Sequence, residues 1–178
     1  MDILPDILGP NLEVVFCGTA VGTQSAQRGH YYAGPGNKFW QYLYQSGLTP
    51  DLLHPADDAR LPEYGIGLTD LVKNIAQSHD RGLDFRGTPD LEHRLAPHQP
   101  KCVAFTGLKA GESAAKVFGH AKPRHGLQNW RIGNARVFVV TNPSGANASG
   151  PWDGRASKLD WWLELAEHLR QGPDHRAT

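Results

Sequence analysis

Residues 101–119 read KCVAFTGLKAGESAAKVFG. The run from Cys102 to Phe105 is apolar without alternation, which suits a strand buried on both faces, and it breaks at Thr106 and Gly107. From Leu108 the apolar and alanine positions fall at helical spacing and close on Gly119. A buried strand running straight into a helix is the repeating unit of a parallel sheet.

Outward from this unit the alternation continues. Leu12 to Gly18 (LEVVFCG) is a second buried strand. Asn37 to Ser46 places Phe39, Trp40, Leu43 and Tyr44 at helical spacing, and Gly47 stops the helix. Residues 65–72 (GIGLTDLV) form a further strand that reaches a turn at Thr69 and Asp70, and residues 90–100 (DLEHRLAPHQP) read as a helix ended by proline. Arg136 to Thr141 (RVFVVT) is the fourth strand. Trp152 to Gln171 is an amphipathic helix with Leu159, Trp162, Leu163, Leu165, Ala166 and Leu169 on its apolar side. This order predicts an α/β fold: a three-layer α/β/α sandwich around a central, mainly parallel four-stranded sheet. A chain of 178 residues is most simply one domain, here 1–171, with a frayed tail at 172–178.

Composition narrows the function classes. Lys plus Arg and Asp plus Glu are 18 each, so no global basic field exists and any nucleic-acid contact must be local. The two cysteines, Cys17 and Cys102, lie inside apolar runs and read as buried thiols in a reducing compartment. They are too few for a four-thiolate zinc or iron–sulfur site, and the nine histidines form no H-x-x-x-H pair on a predicted helix, so no metal and no cofactor is expected. The start MDILPDILGP lacks the basic and long apolar regions of a signal segment, and no apolar run reaches membrane-spanning length. The expectation is a soluble cytoplasmic protein.

In a parallel sheet, ligands bind beyond the carboxyl ends of the strands. Three polar segments follow strands, residues 18–26 (GTAVGTQSA), 69–74 (TDLVKN) and 142–149 (NPSGANAS), and they are expected to converge on a site. The glycines of GTAVG let a ring carbonyl or a phosphate approach the main chain, although ordinary turns use the same residues. Tyr31 and Tyr32, between Gly29 and Gly34, read either as a flat stacking surface for a base or as a lid packed over the core.

In order along the chain, LEVVFCG, YYAGPGNKFW, GIGLTDLV, VAFTGLKA and TNPSG resemble the uracil-DNA glycosylase superfamily, nearest its mismatch-specific uracil and thymine branch. YYAGPGNKFW and GIGLTDLV are also similar to the hypoxanthine branch. The resemblance spans about Leu12 to Gly145. It implies a monomeric enzyme that flips a nucleotide out of DNA and hydrolyses its N-glycosidic bond, working at the nucleoid. It further implies that Tyr32 is the stacking aromatic, with Tyr31 a second wall. The backbone amides of Gly18, Thr19 and Ala20 and the side chain of Asn142 match the donors that meet the charge developing on the leaving base. Ser144, Gly145, Ala146 and Asn147 match the loop that grips the DNA, with Lys109 as cationic partner at a helix start.

Two departures stand out. The mismatch branch carries G-I-N-P-G, whose asparagine positions the attacking water; this chain has a methyl there, at Ala20. Asn37 and Asp70 are the polar residues that can replace it, each with a capping role as the alternative. The bulky wedge after N-P-S-G is replaced by the small Ala146, which favours bases that flip easily, in single strands or mismatches. The cleft positions matched contain no lysine for a Schiff base, so the expected enzyme is monofunctional. A damage-binding module with weakened catalysis and a glycosylase for hypoxanthine or alkylated bases are the other readings.

Overall fold

The computed structural model describes residues 1–146 and 149–172. Five strands form one sheet: β1 (Val14–Val21), β2 (Ile66–Ala76), β3 (Cys102–Thr106), β4 (Gly126–Ile132) and β5 (Ala135–Val140). Their order is β2-β1-β3-β5-β4. All neighbours pair in parallel except β4, which runs antiparallel to β5. The helices are α1 (Thr23–Arg28), α2 (Phe39–Gln45), α3 (Asp90–Leu95), α4 (Leu108–Val117) and α5 (Lys158–Gln171).

The sheet separates two apolar layers. On one face Phe16 stacks on Trp162 of α5 at 5.3 Å and meets Phe39 of α2 edge-on. On the other, Val15, Cys17, Val103 and Phe105 pack with Leu91 of α3 and Ala110 and Ala114 of α4. This is the α/β/α sandwich, with five strands where four are legible in the sequence. The additional strand, β4, is half exposed, so polar residues interrupt its apolar positions Trp130 and Ile132. Among the described residues no helix is long and apolar enough to cross a membrane.

Several boundaries differ from the sequence reading. The first strand continues past Gly18 to Val21, so Gly18, Thr19 and Ala20 are strand residues rather than loop. The second continues through Thr69 and Asp70 to Ala76, with Gly18 opposite Asp70 and Ala20 opposite Val72. Pairing with β1 and an antiparallel bridge from Ile7 to Leu68 hold β2 on both edges, which outweighs the poor strand propensity of an aspartate. The last helix starts six residues later than Trp152, at Lys158, because Ser157 and Asp160 form a capping box there. The second begins at Phe39.

Register sets up the site. On the face that packs against α2 and α5, Leu68, Phe16 and Ala104 form one row across β2, β1 and β3. Two residues further along each strand, on the same face, stand Asp70, Gly18 and Thr106.

Candidate active site

A cleft of about 610 Å³ opens at the carboxyl ends of these strands. It is bounded by Gly18 to Gly22, by Tyr31, Tyr32 and Asn37, by Asp70 and Thr106, and by Asn142, Ser144, Gly145 and Ala146. The three segments expected to converge do so.

Gly18 lies at the floor. A Cβ there would sit 2.7 Å from Asp70 Oδ1, 3.4 Å from Thr106 Oγ1 and 3.5 Å from Tyr32 Oη. Three polar side chains from three segments thus close over one residue that has no side chain. Tyr32 Oη and Thr106 Oγ1 share a hydrogen bond of 3.0 Å.

Asp70 is 3% exposed, and its Oδ2 has no hydrogen-bond partner among the described residues. Burial pushes its carboxyl up to about 7, against the pull of Lys73 and Arg94 and of the Gly18 backbone, while Asp6 adds to the rise. A helix-cap role for Asp70 is overturned, since it lies within β2. The row therefore holds a carboxyl near the midpoint of its titration at neutral pH.

Tyr32 adopts a left-handed backbone, φ 51°, and its ring stacks on Phe39 at 4.0 Å. Burial raises its phenol well above the ordinary value, so it stays neutral. Tyr31 belongs to the core: it is 3% exposed, its amide donates to Asp58, its hydroxyl donates to the Pro5 carbonyl, and the hydroxyl accepts from Lys73. Both tyrosines nevertheless line the cleft.

The two asparagines share a pattern. Asn37 Oδ1 accepts from the Phe39 amide and Asn142 Oδ1 from the Ser144 amide, each at 2.9 Å. Both side-chain oxygens are thus committed to the main chain, and the NH₂ groups have no protein partner among the described residues. Asn37 precedes the α2 N-cap, Lys38, turns its oxygen onto the first helical amide and also lines the cleft.

The 142–146 loop is held from two directions. Lys158 Nζ donates to the carbonyls of Asn142, Ser144 and Ala146, and the Lys38 amide donates to the Pro143 carbonyl. Asn147 lies outside the described residues. Lys109 is exposed on α4, its Nζ 5.6 Å from the Phe85 ring centroid, and it is not among the residues lining the cleft.

Thr106, Asp80 and Lys158 were not singled out by sequence reasoning. Asp80 lines the cleft and accepts from Thr19 Oγ1 at 2.7 Å. Thr106 had a signal: it stands two residues past Ala104 in its strand, as Gly18 stands past Phe16 and Asp70 past Leu68 in theirs. Lys158 had none, because its role depends on where the loop folds back.

A mainly parallel sheet thus carries a buried carboxyl, a hydroxyl and a bare glycine in one row toward its carboxyl end, beside a tyrosine and two asparagine amide groups that line the same cleft. The sequence profile of the uracil DNA glycosylase superfamily matches residues 5–166, and the chain belongs to that family. Membership carries DNA glycosylase chemistry and a DNA substrate. In overall structure the chain is similar to the solution NMR structure of a protein from Methanosarcina acetivorans described as a candidate uracil DNA glycosylase. The match has a TM-score of 0.56 and 22% identity and covers 94% of this chain and 96% of that one, a likeness of fold.

Proposed function

We propose that the chain is a monofunctional uracil-DNA glycosylase in which Asp70 positions and activates the hydrolytic water. The observation that carries the reading is the buried Asp70, whose Oδ2 has no partner among the described residues and whose Oδ1 closes over the bare Gly18 at the cleft floor. Cytosine deamination replaces an amino group with a carbonyl. The free NH₂ groups of Asn37 and Asn142 suit such a carbonyl, since a donor meets an acceptor in uracil and another donor in cytosine. Tyr32 supplies the stacking wall, backed by Phe39.

In the reaction water adds to the anomeric carbon as the bond from that carbon to the base nitrogen breaks. The water proton passes to the Asp70 carboxylate and the bonding pair leaves with the base, whose developing charge the asparagine amides and the Gly18–Ala20 main chain meet. Among the described residues no lysine lines the cleft, and Lys73 is committed to Asp6 and Tyr31, which favours hydrolysis over a Schiff-base lyase. Ser144, Gly145 and Ala146 meet the DNA backbone beside the flipped nucleotide, and the small Ala146 suits mismatched or single-stranded substrates. The carbonyl of hypoxanthine presents the same acceptor, so a purine product of deamination is the second reading.

The test is excision from oligonucleotides carrying uracil in single strands, U:A and U:G pairs, alongside hypoxanthine. Abasic product from uracil supports the proposal; product from hypoxanthine alone shifts the substrate. Binding to uracil DNA without turnover makes the chain a damage-binding module.

A further inference from the structure

Behind the cleft, on the edge of β2, lies a charged cluster that spans three segments. Asp6, on the N-terminal segment, accepts from Thr69 Oγ1 at 2.7 Å, pairs with Lys73 Nζ at 2.9 Å and with Arg94 Nη1 at 2.9 Å. Lys73 Nζ also donates to Tyr31 Oη at 2.9 Å, and Arg94 Nη2 donates to the carbonyl of Asp70 itself at 3.0 Å. The N-terminal segment is pinned here by the Ile7 to Leu68 bridge and by the Ile3 amide on the Lys73 carbonyl. The side chains of Asp6, Lys73 and Arg94 are 16%, 10% and 16% exposed, too enclosed for a solvated surface triad.

We propose that Asp6 is a positioning residue for the candidate active site: it fixes Lys73 and Arg94 beside Asp70 and cancels one of their two positive charges. This rests on the reading of Asp70 as the water-activating group. Without Asp6, two cations would face Asp70 from one side; without Lys73, one cation and one anion would remain. The two losses act on Asp70 in opposite directions, which a loosened fold would not produce.

The other titratable groups near Asp70 leave that balance intact. Cys17 on β1 and Tyr31 and Tyr32 on the loop are all raised by burial and stay neutral as Asp70 titrates. Asp6 is disfavoured as an anion by burial, but the Thr69 hydroxyl and Lys73 hold it below the ordinary carboxyl value, so it stays charged. Arg94 stays charged, and it also pairs with the exposed Asp90 at 3.2 Å.

The experiment titrates the Asp70 carboxyl by carbon NMR in the full chain, with the signal assigned by its absence in Asp70→Asn. In Asp6→Asn, which keeps the shape and an acceptor for Thr69, the midpoint is expected to fall by about one pH unit. In Lys73→Met it is expected to rise by about as much, and the pH profile of base excision to move with it in each case. Midpoints that move the same way in both variants, or in neither, overturn the proposal. Should Asp6→Asn not fold, Asp6→Ser, which removes the charge but leaves an oxygen near Thr69, must lower the midpoint in its place, against the rise in Lys73→Met. The titration is read on free protein: if Asp70 is not the catalytic group, the midpoints still shift while the excision profile does not follow.

Discussion

Two adjacent rows of the sheet are both buried and chemically opposite. Leu68, Phe16 and Ala104 are fully buried and wholly apolar, with Phe16 stacked on Trp162. One step along the same strands and the same face, Asp70 and Thr106 flank Gly18 and are almost as enclosed. The first row follows the rule that buried groups are apolar; the second breaks it with a carboxyl whose Oδ2 has no partner among the described residues. Local conflict within a consistent fold marks where function is placed at a cost in stability. The rows should therefore respond to substitution in opposite ways.

The largest effect is expected at the centre of the polar row. Asp70→Asn should lower single-turnover uracil excision by about 10²- to 10⁴-fold. The same change should stabilise the protein in alkaline solution. The folded carboxyl titrates near 7, above its ordinary 3.8, so the unfolded chain gives up the proton first and stability falls as pH rises between these values. Denaturant unfolding at pH 8 should thus show Asp70→Asn more stable than the parent, by about 2 kcal/mol.

Phe16→Ala, in the neighbouring row, should do the reverse. Chemical denaturation should show a loss of about 3–5 kcal/mol, because the cavity opens between Trp162 and Phe39. Gly18→Ala sharpens the contrast: its methyl falls 2.7 Å from Asp70 Oδ1. Excision should drop by at least about tenfold, about 1.4 kcal/mol in barrier, with unfolding changed by less. Thr106→Val removes only the hydroxyl that holds Tyr32 Oη, and should cost a few-fold in rate and about 1 kcal/mol in stability.

The two rows also differ in how far the sequence reveals them. The apolar row is legible in VVF, VAF and GIGL, where unbroken apolar runs have no other use, and the parallel sheet follows from their alternation with helices. The edge strand β4 is hidden by the polar residues on its exposed side. At the site, Gly18, Tyr32 and Asp70 are visible through their motifs, but not that Asp70 lies inside a strand, because that depends on a glycine 52 positions earlier in the chain making room. Thr106 passes for an ordinary strand end. The Asp6 cluster joins residues 63 and 88 positions apart, which no local pattern encodes.

The proposed chemistry requires Asp70 to act as a carboxylate. Its most direct test is the single-turnover rate of uracil excision between pH 5 and 9. The rate is expected to climb about tenfold per pH unit at the acid end, bend near pH 7 and then level off, with Asp70→Asn slow and flat throughout. A rate that is level or falls across that window, or an Asp70→Asn profile matching the parent, would contradict it.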